Sequence, residues 1–327
     1  MKHILIICTL VSSLGLCPIA HAQTSQPEIT LLSTMVANFT GEGEWGFSAL
    51  LETPTATILF DTGFKENTVL NNAKMLKKDL SKVEIVILSH FHTDHTGGLL
   101  KLRKTHSKTN PKAFSKVYVG KGFFEQRYDK SGKSIYSLSG PRFSEQFQYA
   151  KDFKAAAETL GIQFIVVEQR TEIGAGLVLT GPIERVHDEK NVSPGFFLKQ
   201  GDKLIPDNVP ESQALGIQTE HGWLLLSGCG HAGIINASEQ LRKIREQPIY
   251  IGVGGFHLFR ANDDTVSWTA TKLKSFGLQK LVGAHCTGAH ATFKLAQLLN
   301  LPRKHVSIGA IGTRVDSNLN IISASIE

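Results

Sequence analysis

The chain has 327 residues and a net charge of +6, which is enough material for one large domain or two ordinary domains with a substantial core. The lysines and arginines are scattered, and their densest run, at 74–78, is typical of a solvated helix face rather than of a nucleic-acid patch. This balance favours a small-molecule substrate over nucleic acid and leaves the oligomeric state open.

Residues 1–22 have the order of a secretory signal peptide: Lys2, an apolar run, and small residues near 20–22. The apolar run is short for a membrane span, and Leu16 before Cys17 is bulkier than lipoprotein processing normally accepts. We therefore expect cleavage after Ala22, no stable membrane insertion, and a mature protein of residues 23–327 in the periplasm or outside the cell.

Short apolar runs rich in Val, Ile and Leu alternate with helical patterns along the mature chain. In the first half we predict strands over 29–36, 46–52, 57–60, 83–89, 116–119, 163–167 and 176–180, and helices over 67–80, 99–105 and 153–160. In the second half we predict strands over 214–219, 223–227, 250–253, 280–283 and 306–310, and helices over 235–246, 265–276 and 291–299. No repeat or linker divides the pattern. It indicates one α/β domain, with two sheets packed face to face, helices outside and functional residues in loops at strand ends.

Residues 123–149 are rich in glycine, serine and aromatic side chains and have no clear periodicity. Loops longer than about 15 residues without secondary structure are uncommon and often functional. We interpret the region around 121–158 as a lid-like insertion that covers the pocket and selects the substrate.

The strongest motif is HFHTDHTGG at 90–98, directly after a predicted strand. His90 and His92 alternate along an extended segment, so they share a face and can bind one ion. The turn at Asp94 and His95 can present a second pair to a neighbouring ion, because imidazole nitrogen and carboxylate oxygen both bind zinc. This density of ligands indicates a metal site rather than a set of surface histidines.

The turn LFDTG at 59–63, followed by a predicted helix and then HFHTDHTGG, resembles the metallo-β-lactamase superfamily. The resemblance implies a four-layer αβ/βα sandwich with one or two ions, zinc or another divalent metal, at the mouth between the sheets. It also implies that His90 and His92 bind the first metal and that Asp94 and His95 bind the second. Asp61 would support the loop through hydrogen bonds.

Three later motifs place a histidine after a predicted strand: LLLSGCGHAGIIN at 224–236, GGFHL at 254–258 and GAHCTG at 283–288. Together with PDNVPESQAL at 206–215, they are similar to one branch of the superfamily. That branch contains the dihydropterin ribofuranosylaminobenzene 5′-phosphate synthases and related metal-dependent hydrolases. By this resemblance His285 is the final histidine, a ligand of the second metal. His257 has no counterpart in ordinary β-lactamases, and it is a candidate ligand, substrate contact or acid–base group.

The turn Ser227-Gly228-Cys229 departs from the superfamily pattern, in which an aspartate that bridges the metals follows Ser/Thr-Gly. Thiolate binds zinc strongly, so Cys229 is a candidate ligand, and the occupancy of the second site is open. His231 is the best candidate for the third histidine of the first metal. His187 competes with it, but His187 lies in a charged segment without glycines.

Cys229 and Cys286 are the cysteines that remain after removal of the signal peptide. In an oxidising compartment they could pair, whereas a neighbouring cation favours a thiolate ligand. Glycines on both sides of Cys229 allow a tight turn toward the metals, whereas Cys286 directly follows the ligand His285. In an extended segment, that position points the other way. We expect Cys229 to face the metal centre, Cys286 to point away, and the two to be unbridged in the metal-loaded protein.

These residues predict an exported metal-dependent hydrolase that acts on an ester, lactone or phosphoester through a metal-activated water. Asp94 would orient the water, and His257 is the second candidate catalytic group. A transferase similar to the synthases of the related branch is the alternative, and a non-catalytic metal- or ligand-binding protein is the third hypothesis. Because Cys229 replaces the expected aspartate, we expect no useful β-lactamase activity.

Overall fold

The computed structural model describes residues 27–135, 150–189, 191–192 and 195–325; the segment expected to be a signal peptide lies outside these ranges. Strands and helices are numbered along the chain. The strands are β1 (Glu28–Ser33), β2 (Ser48–Glu52), β3 (Thr57–Phe60), β4 (Ile85–Leu88), β5 (Lys116–Gly120), β6 (Arg127–Tyr128), β7 (Ser134–Ile135), β8 (Gln163–Val167), β9 (Thr171–Gly174), β10 (Leu177–Leu179), β11 (Phe197–Gln200), β12 (Lys203–Pro206), β13 (Ala214–Thr219), β14 (Gly222–Ser227), β15 (Ile249–Gly254), β16 (Lys280–Gly283), β17 (Val306–Ser307), β18 (Arg314–Val315) and β19 (Ile321–Ile322). The helices are α1 (Thr68–Met75), α2 (Thr93–Thr96), α3 (Leu99–His106), α4 (Ala150–Thr159), α5 (Ile234–Ile244), α6 (Asp263–Ser275) and α7 (Ala289–Leu298).

Two large sheets contain most of the strands. The first has the order β19-β18-β1-β2-β3-β4-β5-β8, and the second has the order β17-β16-β15-β14-β13-β10-β9. The three predicted opening strands form a meander, because β1, β2 and β3 pair antiparallel in succession. In the second sheet β14, β15 and β16 are parallel. Their carboxyl ends therefore lie at one edge, where ligand sites of such sheets form.

Three apolar clusters show how the layers are stacked. The central cluster joins the inner faces of the two sheets and includes Phe60, Leu226 and Val253. A second cluster packs α5, α6 and α7 onto the outer face of the second sheet. The third packs α1, α3 and α4 onto the outer face of the first. The predicted four-layer αβ/βα sandwich is confirmed, and β13 and β14 are buried on both faces as a strand between layers must be.

A third, small sheet has the order β12-β11-β6-β7. Strands β6 and β7 belong to the segment predicted as a lid, and β11 and β12 come from a region without predicted elements. Residues 136–149 of that segment lie outside the described residues. Its other end forms α4, where Phe153 and Ala157 are buried in the cluster on the first sheet. This end therefore belongs to the outer helix layer rather than to a lid.

The remaining differences from the predicted elements are shifted element ends and short strands that were not predicted. The helix predicted over 67–80 ends at Met75, and a 3-10 turn follows at Leu80–Lys82. Strands β18 and β19, for which no pattern was visible, extend the first sheet beside β1. In the part of the chain that the structure describes, no helix is long and apolar enough to span a membrane.

Candidate metal centre

Loops at strand ends bring the candidate ligands together. His90 follows β4 of the first sheet, and His231, His257 and His285 follow β14, β15 and β16 of the second. Because those three strands are parallel, their loops open at the same edge. The HxHxDH loop meets them across the sandwich, and the short helix α2 turns Asp94 and His95 inward.

His90, His92 and His231 form the first ligand group. Each offers one ring nitrogen, and these atoms all lie within 4.8 Å of one another. The ring centroids are 4.3 Å apart for His90 and His92 and 4.6 Å apart for His90 and His231. This geometry supports the choice of His231 as the third histidine. His187 instead contacts Glu239 at 3.1 Å and belongs to no ligand group among the described residues.

Hydrogen bonds orient two of these three rings. The Ser89 hydroxyl donates to Asp61 Oδ2 at 2.7 Å and lies 2.9 Å from His90 Nδ1, so Ser89 oxygen accepts the His90 Nδ1 proton. His231 Nδ1 donates to the Asn191 carbonyl at 2.6 Å. Among the described residues, Nε2 of both rings is buried without a hydrogen-bond partner. A ring that donates from Nδ1 presents a lone pair at Nε2, which is how a metal-binding histidine is oriented.

The three rings of this group are held neutral. Burial, followed by the nearby imidazoles, lowers the pKa of His90 and of His231 well below the ordinary value. Burial is also the main cause that lowers the pKa of His92 to about 3. A neutral imidazole is the form that binds a metal. The group can therefore accept a cation at neutral pH without losing a proton.

The second ligand group consists of Asp94, His95, Cys229 and His285, all of them buried. Cys229 Sγ lies 3.1 Å from His95 Nε2 and 3.3 Å from His285 Nε2. Asp94 Oδ2 lies 3.5 Å from each of the same two nitrogens. In a tetrahedral zinc site with bonds of about 2.0–2.3 Å, neighbouring ligand atoms are about 3.3–3.8 Å apart. Four of the six separations in this group are therefore close to those between neighbouring ligands of a tetrahedral site.

Asp61 supports both groups from behind, and the predicted hydrogen-bonding role of this residue is confirmed. Its Oδ2 accepts the His95 Nδ1 proton at 2.7 Å, and its Oδ1 accepts the Ser89 backbone N–H at 2.7 Å. The carboxylate thus leaves His95 Nε2 free for an ion. Gly228, which precedes Cys229, must lack a side chain because an added Cβ would collide with Ser89 Oγ and Asp61 Oδ2.

Protons are held differently in the second group. Burial disfavours the charged form of His95, but Asp94 and Asp61 outweigh it and raise the pKa to about 10. Burial likewise opposes protonation of His285, whereas Cys286 and Asp94 raise its pKa to about 9. Despite burial, His95 keeps the pKa of Asp94 well below its ordinary value. The Asp94 carboxylate favours the protonated forms of His95 and His285, so its surroundings favour positive charge. A metal ion can replace those protons.

The donor set fits divalent metal. The first group supplies three imidazoles, so a fourth position would stay open on a bound ion, as in catalytic zinc sites. The second group supplies four protein ligands, including a thiolate, as in closed sites. The rings of His90 and His95 are 4.3 Å apart, so the two groups are neighbours. Every residue predicted as a metal ligand lies in one of these groups.

His257 borders a cavity of about 710 Å³ that also reaches Phe259 and Trp268. Its ring lies 4.5 Å from the ring of His231, and its backbone φ of 52° is left-handed. Trp45, which was not singled out in the sequence, packs 5.1 Å from the rings of both His285 and Phe259. The site is therefore edged by aromatic side chains, with His257 between the first ligand group and the cavity.

The expectation that Cys286 points away from the site is wrong. Its sulfur lies within 4.8 Å of the ligand atoms of Cys229 and His257, and it is fully buried. The expectation assumed an extended segment, but His285–Thr287 form a 3-10 turn in which His285 has a φ of 46°. Successive side chains in such a turn do not alternate between opposite faces. Cys229 faces the second group as expected, and both cysteines are free thiols.

The described part of the predicted lid contacts the metal-binding loop through a buried ion pair. Arg127 of β6 donates to Glu211 Oε2 at 2.6 Å and to Asp207 Oδ2 at 3.1 Å. Glu211 Oε1 accepts the backbone N–H of Phe91, between the first two histidines, at 3.2 Å. The motif at 206–215 thus has a structural role that its sequence did not reveal. This lid segment lies on the same side of the molecule as His90.

The chain is similar to several known proteins. A family model described as the metallo-beta-lactamase superfamily matches residues 46–234. A Methanocaldococcus jannaschii protein named 7,8-dihydropterin-6-methyl-4-(beta-D-ribofuranosyl)-aminobenzene-5′-phosphate synthase is 30% identical over 254 residues, which is 75% of this chain and 82% of that protein. An uncharacterized protein of the same organism is 29% identical over 261 residues, 80% of this chain and 91% of its own length.

Solved structures share the fold. One is described as a metal-dependent hydrolase of the beta-lactamase superfamily; it is 25% identical, with a TM-score of 0.67, over 88% of this chain and 98% of that chain. The metallo-beta-lactamase fold protein YhfI from Bacillus subtilis is 12% identical, with a TM-score of 0.50 and the same coverage of both chains. The second likeness concerns the fold alone.

Proposed function

The chain belongs to the metallo-beta-lactamase superfamily, and we propose that it is an exported metal-dependent hydrolase that cleaves an ester, lactone or phosphoester. One observation carries the proposal: three imidazoles that can share one ion lie beside a four-ligand group, and His257 lies between them and a cavity of about 710 Å³. Such a cavity is large enough for a small-molecule substrate. The structure described as a metal-dependent hydrolase also supports the proposal.

Bound divalent ions, with zinc as the proposed metal, would supply a water of lowered pKa and would polarise the oxygen of the substrate. The protein's own residues have separate tasks. His90, His92 and His231 would hold one ion, and a site with three protein ligands would have room for a water or a substrate oxygen as the fourth. Asp94 stays ionised, because its pKa is lowered, so its carboxylate can accept a hydrogen bond and orient a water.

His257 is placed to move a proton to the leaving group. It borders both the His231 ring and the cavity, and in the described structure its Nδ1 is buried without a hydrogen-bond partner. Trp45 and Phe259 close the same side with aromatic surface. We therefore propose a substrate that has an apolar part next to the bond that is cleaved.

Transfer is the second candidate reaction, and the relative named as a synthase favours it. In that case the same ions would neutralise an anionic leaving group while another nucleophile replaces water. The signal-like segment at 1–22 favours hydrolysis, since water is the nucleophile available outside the cytoplasm. Export itself is tested by N-terminal sequencing of protein recovered from the periplasm, which should begin at Gln23.

The experiment is a substrate panel with the purified, zinc-loaded mature protein. Esters, lactones, phosphoesters, penicillins and carbapenems are assayed for the wild type, His257→Ala and His290→Ala; His290 is a surface histidine. We expect turnover on one of the first three classes, a decrease of about 100-fold or more in His257→Ala, no change in His290→Ala, and no useful turnover of β-lactams. A metal-loaded protein inert on every hydrolysis substrate would overturn the hydrolase proposal and favour transfer or ligand binding.

A further inference from the structure

A third ligand group lies beside the second and shares Cys229 with it. It contains Cys229, His257 and Cys286, whose ligand atoms all lie within 4.8 Å of one another. Cys286 Sγ also lies 3.5 Å from the carbonyl oxygen of Cys229. The side chain of Cys286 is used by neither of the other two groups. Cys229 belongs to the second group as well, so its sulfur stands between the two.

Two thiols and one imidazole are a soft ligand set. Thiolate and imidazole select thiophilic cations such as zinc and monovalent copper rather than magnesium or calcium. A thiolate can also be shared between neighbouring ions, so Cys229 need not leave the second group in order to serve the third. We propose that Cys229, His257 and Cys286 form an additional thiol-rich site that binds one thiophilic cation.

Further observations point to a ligand rather than to packed thiols. The buried Nδ1 atom of His257 has no hydrogen-bond partner among the described residues. His257 and His285 both have left-handed backbones, with φ of 52° and 46°. This conformation is unfavourable for non-glycine residues, and such residues cluster at functional sites. Both histidines therefore have an unfavourable backbone conformation, and their rings lie near the thiols, His285 near Cys229 and His257 near both cysteines.

The backbone around the thiols is also closely fitted. A Cβ added to Gly255 would lie 2.8 Å from Cys286 Sγ and would collide with the carbonyl of Gly228. The two sulfurs are buried, with exposures of 3% for Cys229 and 0% for Cys286. His257 is half-buried and borders the cavity of about 710 Å³. A cation therefore has a path to the site past His257, which a functional metal site requires.

Cobalt binding tests the proposal without any assay of catalysis, so its failure is distinct from failure of the proposed hydrolysis. The mature protein is loaded with Co²⁺, and bound cobalt and the sulfur-to-cobalt absorbance in the near ultraviolet are measured. We expect Cys286→Ser to lose about one cobalt per protein and about half of that absorbance. His257→Ala should lose the same ion, and His290→Ala is the control. Thermal unfolding shows whether each variant is folded, and Cys286→Ala is the second variant if the serine is not tolerated.

A parallel titration with Cu⁺ identifies the cation class. Loss of one bound Cu⁺ in Cys286→Ser, with cobalt unchanged, supports the site and assigns it to monovalent copper. If Cys286→Ser binds both metals like the wild type, the site does not exist. A wild-type protein without free thiols when denatured and unreduced would also overturn the proposal, because its two sulfurs would then form a disulfide.

Discussion

The two main ligand groups are neighbours, yet they prepare for a cation in opposite ways. The histidine group of His90, His92 and His231 is neutral, because burial lowers the pKa of each ring. The mixed group of Asp94, His95, Cys229 and His285 holds protons on two imidazoles, because Asp94 and Asp61 raise the pKa of His95, and Cys286 and Asp94 raise the pKa of His285. The histidine group can therefore bind a metal without releasing protons, whereas the mixed group must release protons when it binds one.

The same two groups differ in coordination. The histidine group has three ligands and an open position, whereas the mixed group has four ligands close to tetrahedral spacing. The comparison suggests a division of labour, in which the histidine group meets the substrate and the mixed group fixes charge beside it. One hydrogen-bond network, formed by Asp61 and Ser89, supports both groups.

The largest expected effect distinguishes His231 from His187, the two candidates for the third histidine of the first metal. His231→Ala should lose one ion and lower hydrolysis about 1000-fold, because several kcal/mol of charge stabilisation are lost. His187→Ala is the matched control and should retain metal and activity, since His187 binds Glu239 outside the groups. Metal content and kcat measured in both variants check this; equal losses in the two would remove His231 from the site.

The second-largest expected effect is a difference between the two groups in how their metal affinity depends on pH. With pKa values of about 10 and about 9, His95 and His285 are protonated at neutral pH, and burial raises the pKa of the Cys229 thiol, so metal binding to the mixed group displaces two imidazole protons and one thiol proton. Each unit decrease in pH should then weaken this site about 1000-fold. The histidine group, with the pKa of His92 near 3, should change little above pH of about 5. Calorimetric titration in buffers of different ionisation enthalpy counts the protons, and equal pH dependence of both ions would refute the comparison.

The raised pKa of His95 also affects the folding stability of the metal-free protein. The pKa of His95 is raised from 6.5 to about 10, so its stabilising contribution is complete below about pH 6.5 and is lost as the pH rises through about 10. Metal-free protein should therefore become less stable between these values, and metal-loaded protein should not show this loss. Urea unfolding across this range, with and without chelator, measures the difference.

Asp61→Asn should weaken the mixed group by about 10–100-fold in metal affinity, the usual effect of removing a carboxylate that orients a histidine ligand. An amide facing His95 Nδ1 could no longer accept from it in the same orientation. Asp79→Asn is the matched control, because Asp79 also accepts from the N–H and hydroxyl of a serine, Ser81, but is exposed. Competition with a chromophoric chelator gives both affinities. No difference between the two variants would mean that Asp61 does not orient the ligand.

The smallest expected effect concerns the lid. Arg127→Lys keeps the charge but loses the fork that joins Glu211 and Asp207, so the free energy of unfolding should fall by about 2 kcal/mol. Metal content should be unchanged, since Glu211 reaches the site only through the Phe91 N–H. Arg245→Lys, at an exposed position, is the control for urea unfolding. Metal loss in Arg127→Lys would show that the lid holds the histidine group directly.

The sequence was informative where spacing is local. Ligands in the HxHxDH loop lie within six residues, and the later histidines each follow an apolar strand, so strand ends could be located from periodicity alone. The orientation of Cys286 could not be predicted from the sequence, because it depends on a left-handed φ at His285 that only the packed turn imposes. The link from Arg127 to Glu211 spans 84 residues and is set by tertiary contact. Two-residue strands such as β18 and β19 have no period to detect.

The central claim is that two adjacent groups bind separate ions, and metal analysis of His90→Ala/His92→Ala tests it most directly. Wild type and double variant are loaded with cobalt, and bound metal and sulfur-to-cobalt absorbance are measured in each. We predict that the double variant loses one ion per protein and keeps the sulfur-to-cobalt absorbance, because its thiolate belongs to the mixed group. Unchanged metal content in the double variant would contradict the account.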